Sequence, residues 1–569
     1  MNTTNLDEKQ VLGACVEDCI HVAGILNFFQ LAENTGYKTR FLGPAVKKQH
    51  LINQIKQSNA GIIALSYRLT PDNGERFLKS FIEEVENNDL REGRRYFLGA
   101  LPVLADRAKD WNFFEAVFSG GETIDEVMPF LRQEPAKKRE AFTYPDTLVD
   151  RVAFKAPFPV LRAHFGLPSL DATLDGIEEI ANAGVLDVIS IAPDQAAQEC
   201  FHRPEELACM AEGSGGVPIR CKEHLEAMHA RSLHGNHPLL RVYSGTRDLL
   251  KNAALFHETI KNAWAAIPLF WYSELDGRGP CKLEDAIAEH LEAISWHARH
   301  DIPVEINDPH QWGLRMAPDH VVVADAFICA KAAKELGVKT YVEQLMFNTP
   351  SGNTLAMDLA RVLAMIEIVQ PLVDDGFTVL KETRAGLSYL SPRLNVAKGQ
   401  LCASTMMQMA VKPHVMHVVT YCEGDHAARP AEIIESCQLV SRVIQDAYYG
   451  LPVDMAFSKD VQERKNELLE DATVLLKCFM DLGDREGVSN PFVSTRVLSQ
   501  AVRSGLLDAS QLIENPAAKG EIKTRVQKGK CIVVDEADVP LPERERVARL
   551  GFNVAAIEAK PSSLLFTKT

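Results

Sequence analysis

Long apolar runs are missing. No uncharged apolar stretch of about 18 residues occurs in the 569-residue chain, so no transmembrane helix is read and no membrane partner is expected. An excess of positive charge is missing too. The 61 Lys and Arg are outnumbered by 77 Asp and Glu, for a net charge of −16. That balance argues against nucleic acid or an anionic membrane surface as the main partner, while leaving room for an internal basic pocket. The 12 cysteines form no Cys-x-x-Cys pair; Cys15 and Cys19 come closest, and zinc-finger spacing is lacking. Reduced thiols in a cytoplasmic protein are therefore expected, rather than a disulfide framework. The opening MNTTNLDEKQ lacks the basic and apolar segments of a secretory signal. With 46% apolar and 24% charged residues, the composition is that of a globular protein. At ~150 residues per domain the length allows three or four domains, and fewer if one is a barrel of ~250 residues.

What is present is a regular alternation. Up to residue 131, QVLGACV, YKTRFLG, GIIALSYRL, RRYFLGA and FEAVFSGG read as strands. HVAGILNFFQLAENTG, KKQHLINQIKQSNA, NGERFLKSFIEEVENN and TIDEVMPFLRQ read as helices, the first with Gly36 as its C-cap. Strands alternating with helices predict an α/β fold with a doubly wound parallel sheet, Rossmann-like or flavodoxin-like, whose ligand lies at the carboxyl ends of the strands. Residues 132–157 are polar and punctuated and read as a linker. Over residues 158–483 eight strand candidates follow: VLRAHFG, LDVISIAPD, LLRVYSGT, AAIPLFWYSE, PVEINDPHQWG, TYVEQLMFN, FTVLKETRAG and VMHVVTYCEGD. Helical stretches such as KLEDAIAEHLEAISWHARH separate most of them. Eight strand–helix units of this total length predict a (β/α)8 TIM barrel. Residues 484–569 form a small C-terminal α/β tail.

The loop after the first strand carries Asp18, then His21-Val22-Ala23-Gly24. An imidazole just before a helix can ligate a metal, a nearby carboxylate can hold its other ring nitrogen, and Gly24 lets a bulky group approach the backbone. Ser66 and Leu69 follow the third strand, Gly99 ends the fourth, and Gly120-Gly121 follow the fifth. Together these motifs resemble the cobalamin-binding domain of base-off, His-on corrinoid enzymes. The resemblance implies that His21 is the axial ligand of cobalt. It also implies that Asp18, Gly24, Ser66, Leu69, Gly99, Gly120 and Gly121 surround the cofactor and its tail.

The barrel strand ends carry Arg162 and His164, Asp194, Arg241 and Tyr243, Arg247, Tyr272 and Glu274, His310, Glu343 and Gln344, Lys381 and Arg384, then Glu423, Asp425 and His426. Arg and Lys there suit an anion, and Glu, Asp and His suit proton transfer. Arg162-Ala163 followed by GLPSLDATLDGIEEIANAGVLDVIS, together with APDHVVVADAFICAKAAKELGVK and LLEDATVLLKCFMDLGD, is similar to the catalytic epsilon chain of glutamate mutase (methylaspartate mutase). The N-terminal domain resembles the small chain of the same enzyme, fused in front. The resemblance implies an adenosylcobalamin-dependent radical isomerase, a carbon-skeleton mutase working as a homodimer. Arg162, with Tyr243, Arg247 and Lys381, would anchor a small anionic substrate. Two of the three arginine positions of the family fall near Gln198 and Tyr243, which points away from glutamate itself. Glu423, His310 and His426 would bond the migrating group. A corrinoid-dependent methyltransferase, a non-catalytic cobalamin carrier or sensor, and the same fold without a cofactor are the alternatives.

Overall fold

The computed structural model describes residues 6–122, 124–131, 144–208, 215–448, 450, 455–561 and 565. The chain divides into two compact units, Met1–Thr143 and Tyr144–Thr569.

The first unit is a five-stranded parallel sheet. Its strands are β1 (Asp7–Cys15), β2 (Lys38–Phe41), β3 (Ala60–Tyr67), β4 (Arg95–Ala100) and β5 (Ala116–Phe118), in the order β2-β1-β3-β4-β5. Every residue of β3 is buried, which is why AGIIALSY is a near-continuous apolar run rather than an alternating one. Helices Ala23–Asn34, Lys48–Gln57, Pro71–Asn87 and Ile124–Leu131 lie where periodicity places them. Pro102–Lys109 is a further helix, between β4 and β5. Gly13 is required by packing: a Cβ there would lie 2.6 Å from the Ala64 carbonyl oxygen and 2.9 Å from the Phe29 ring. The carboxyl ends line up in one register row, Cys15 beside Ser66, Ser66 beside Gly99, and Gly99 beside Phe118.

The second unit holds eight parallel strands, matching the eight candidates. They are β6 (Val160–Phe165), β7 (Val188–Ile191), β8 (Leu239–Val242), β9 (Ala265–Ile267), β10 (Val304–Ile306), β11 (Thr340–Phe347), β12 (Thr378–Ala385) and β13 (Val415–His417). The order β8-β7-β6-β13-β12-β11-β10-β9 is that of a barrel cut between β8 and β9. A bridge between Tyr243 and Ala266 and the bond from Ala263 N to Leu240 O (2.9 Å) join those two edges, so the barrel is nearly closed. Its amino-terminal end is filled by Val160, Val188, Trp264, Val342, Leu380 and Val415.

The stretch 132–157 is not linker throughout. Residues 132–143 lie outside the described residues, but Leu148–Lys155 is a helix whose Thr147 cap accepts from Asp150 N (3.2 Å). Leu148 joins the apolar cluster at the barrel's amino-terminal end, and Arg151 donates to the carbonyls of Pro145 and His237 (both 2.8 Å). A polar, proline-marked sequence hides this helix because only one of its faces is apolar. The tail adds helices Thr495–Arg503, Glu543–Arg549 and Val554–Glu558 and the antiparallel hairpin β14 (Thr524–Gln527) and β15 (Lys530–Val533). It shares one core with the barrel helices. Asp319, fully buried, ties the two together by accepting from Arg361 (3.1 Å), Arg464 (3.0 Å) and Cys531 N (3.1 Å). Among the described residues no helix is long and apolar enough to cross a membrane, and the described cysteines are free thiols.

Candidate functional site

Side chains alternate along a strand, so Arg162 and His164, Arg241 and Tyr243, Glu382 and Arg384 project as pairs into the barrel. Barrel interiors are usually filled with branched apolar side chains; here the layer above the apolar floor is charged. Arg162 donates through Nε to Glu382 Oε1 (2.5 Å) and through Nη1 to Ser190 Oγ (3.0 Å). Arg241 donates through Nη2 to Glu305 Oε2 (2.7 Å), and its Nη1 reaches the same Ser190 (3.3 Å). Glu305 also accepts from Trp264 Nε1 (2.7 Å) and Gln344 Nε2 (2.9 Å), and Arg241 lies 4.7 Å from the Trp264 ring centroid. All four charged side chains of this layer are essentially unexposed.

Above them stand Tyr243, His164, His417, Arg384 and His310. Tyr243 OH lies 2.9 Å from His164 Nε2, and the His164 and His417 rings meet edge-on at 4.6 Å. Burial, reinforced by the neighbouring arginines, drives the pKa of His164, His310 and His417 well below the ordinary histidine value, so all three imidazoles are neutral. Burial raises the Glu423 carboxyl, against the Thr420 N–H donated to it at 2.7 Å and the field of Arg384. Arg384 is 9% exposed and, among the described residues, has no carboxylate within 4.0 Å. Its guanidinium loses basicity to burial and to Arg162. Buried atoms without a protein partner gather here: Arg162 Nη2, Arg241 Nε, both ring nitrogens of His417, His310 Nδ1, Asn307 Oδ1 and Glu382 Oε2. An unsatisfied buried polar atom costs about 1–3 kcal/mol, so this concentration marks the place where a polar ligand would be repaid in hydrogen bonds.

The expected site residues divide. Arg162, Tyr243 and His310 are in this interior, and Glu423 is at its edge. Lys381 is not. Its neighbours Glu382 and Leu380 fix the alternation, and Lys381 stands on the outer face of β12, with Nζ on Val411 O (2.5 Å) and Glu343 beside it. Arg247 is also outside; its charge is taken by Glu206 (2.7 Å) and Glu199 (3.9 Å). His426 is bound between Asp425 and Glu432, each at 2.8 Å, in the loop beyond β13. Sequence reading passed over Ser190, Glu305 and His417, while Glu382 was visible beside Lys381 and Arg384 at the end of the seventh strand. The signal was a single polar residue inside short apolar strands, Val-Glu-Ile and Met-His-Val.

In the first unit His21 leaves the end of β1 exposed to solvent. Asp18 does not reach it: that carboxylate is 2.5 Å from Lys47 Nζ, which Glu17 also approaches at 3.1 Å. The expected carboxylate–imidazole pair is therefore not made. His21 Nδ1 lies 3.9 Å from Cys19 Sγ. Ser66 is buried in the register row, Leu69 is half-buried, and a Cβ on Gly99 would touch only Leu65 O, at 3.9 Å. A Cβ on Gly24, Gly120 or Gly121 would meet no protein atom within 4 Å. Gly120 needs glycine for its φ of +93°. Glu122 closes that loop by accepting from Ser119 N (2.7 Å) and Gly120 N (2.8 Å); against burial, these bonds pull its carboxyl below the usual range. Among the described residues, glycines with nothing packed over them and an imidazole unclaimed by an acid fit a bulky cofactor that takes an imidazole ligand.

No protein-family model and no curated protein matches the chain. A cobalamin-binding protein from Desulfitobacterium hafniense DCB-2 is similar at 21% identity over 22% of this chain and 60% of that one, with a TM-score of 0.19. The cobalamin-dependent S-adenosylmethionine radical enzyme OxsB is similar at 11% identity over 87% of this chain and 70% of that one, again with a TM-score of 0.19. NtrX from Brucella abortus, in complex with ADP, is similar at 11% identity over 87% and 99%, with a TM-score of 0.17. Likenesses this slight carry no structural argument.

Proposed function

We propose that the chain is an adenosylcobalamin-dependent carbon-skeleton mutase acting on a small anion other than glutamate, and that its first unit holds the cofactor. The observation that carries the barrel half is the set of buried, partnerless donors and acceptors around Arg384 and Arg162. Arg162 and Arg241 are already matched by Glu382 and Glu305, so Arg384 is the cation left for a substrate carboxylate. Arg162 Nη2 and the neutral His417 add uncharged or shared donors beside it. Tyr243, held by His164, orients the substrate's polar group, and His310 and Glu423 bond the part that moves. The closed apolar floor keeps water from entering from below. In the first unit His21 would ligate cobalt, while Ser66, Gly99, Gly120 and Gly121 would line the tail. Bound adenosylcobalamin supplies the radical chemistry; the chain supplies binding and orientation.

The test mixes the protein anaerobically with adenosylcobalamin and a panel of small dicarboxylic, hydroxy and amino acids, and reads products by NMR. An isomerised acid formed with adenosylcobalamin but not with methylcobalamin supports the reading. No isomer from any acid, with methyl transfer from methylcobalamin instead, overturns it.

A further inference from the structure

We propose that Cys422, His426 and Glu432 form a zinc site in the loop leaving β13, outside the barrel interior. One ligand atom from each lies within 4.8 Å of the other two. Cys422 Sγ is 3.5 Å from Glu432 Oε2, and His426 Nε2 is 2.8 Å from Glu432 Oε1. The second observation is Asp425, whose Oδ2 lies 2.8 Å from His426 Nδ1. A carboxylate on one ring nitrogen fixes the tautomer and aims the other at the cluster, which is the usual outer-shell arrangement around a metal-bound histidine. The backbone holds both sides. Asp425 N and His426 N both donate to Cys422 O (2.8 and 2.9 Å), so Cys422 and His426 share one tight turn. Glu432 sits in the first turn of the helix Pro430–Tyr448, with Oε2 also accepting Arg429 N (2.9 Å).

A thiolate, an imidazole and a carboxylate select zinc over calcium or magnesium, and three protein ligands leave a fourth position for water. Cys422 is buried, while His426 is 36% exposed and gives an ion access. Binding displaces the Cys422 thiol proton, and any proton His426 carries toward Glu432, into solvent. Thiolate and carboxylate then neutralise the dication. The same loop carries Glu423, so the ion would fix the position of that carboxylate without touching a substrate.

The test equilibrates cobalamin-free full-length protein with zinc, removes the excess by gel filtration and counts metal by elemental analysis. About one zinc per chain is expected for the wild type and for Cys402→Ser, and almost none for Cys422→Ser or His426→Ala. Asp425→Asn keeps all three ligands and is expected to weaken zinc binding ~10–100-fold. Cobalt(II) added in place of zinc should give a thiolate-to-metal absorption band, which also decides the matter if Cys422→Ser fails to fold. Wild-type protein that retains no zinc and shows no cobalt–thiolate band overturns the proposal, as does full retention by Cys422→Ser and His426→Ala.

Discussion

Arg384 is a cation that, among the described residues, has no carboxylate within 4.0 Å, and the account of the substrate rests on it. Arg384→Gln should weaken binding of the anionic substrate ~100-fold or more. It should leave the urea midpoint unchanged or raise it, because a buried charge without a partner is removed. Arg162→Gln should do the opposite to stability and cost about 3–5 kcal/mol, since it strands Glu382 in the barrel. Equilibrium unfolding and substrate titration of the two variants separate these effects. A second residue sets acid sensitivity. His290 Nδ1 donates to Leu269 O (3.1 Å), tying the helix Leu283–Arg299 to the loop after β9, and burial lowers its pKa from 6.5 to about 4. Because the unfolded chain takes up this proton more readily, the contribution is complete above pH 6.5 and lost as pH falls toward 4. His290→Gln should therefore flatten the decline of the unfolding free energy over that window by up to roughly 3 kcal/mol; a decline as steep as in the wild type would sink this assignment. At this scale the sequence was only half legible. Arg162 and His310 were visible as polar residues at strand ends. Lys381 and Arg247 looked equivalent to them, yet one extra step along a strand put Lys381 on the outer face, and Arg247 met Glu206.

Elements were easier to read than residues, because periodicity averages over many side chains. All eight barrel strands fall within the apolar runs that announce them, as do three of the first sheet; β1 begins three residues earlier than its run, at Asp7, and β3 one earlier, at Ala60. Among the helices that went unread are Pro102–Lys109 and Leu148–Lys155, eight residues each and little more than two turns. The second matters most, since Leu148 fills the floor beneath the charged layer. Leu148→Ala should destabilise the second unit by about 2–5 kcal/mol, measured by urea unfolding. It should do so without changing the neutral state of His164 or His417, readable from their NMR ring resonances. A loss under ~0.5 kcal/mol would mean that the helix does not close the barrel.

Across the whole molecule, a net charge of −16 coexists with a barrel lined with arginine, where Glu382 and Glu305 match Arg162 and Arg241. The tail, which sequence reading set apart, shares the barrel's core through Asp319, a contact between residues 319, 361, 464 and 531 that no local pattern encodes. The proposed cofactor site reads in the sequence as four loops at the ends of one sheet. The pairing of Asp18 with Lys47 rather than with His21 was not legible there, because Lys47 lies 29 residues further on and no local pattern brings the two together. The most direct test of the account is the electron paramagnetic resonance spectrum of full-length protein reconstituted with cob(II)alamin and labelled uniformly with heavy nitrogen. Cobalt coupled to a labelled protein nitrogen, with that coupling lost in His21→Ala, is the predicted result. Protein that retains no cobalamin, or a spectrum that His21→Ala leaves unchanged, would contradict it.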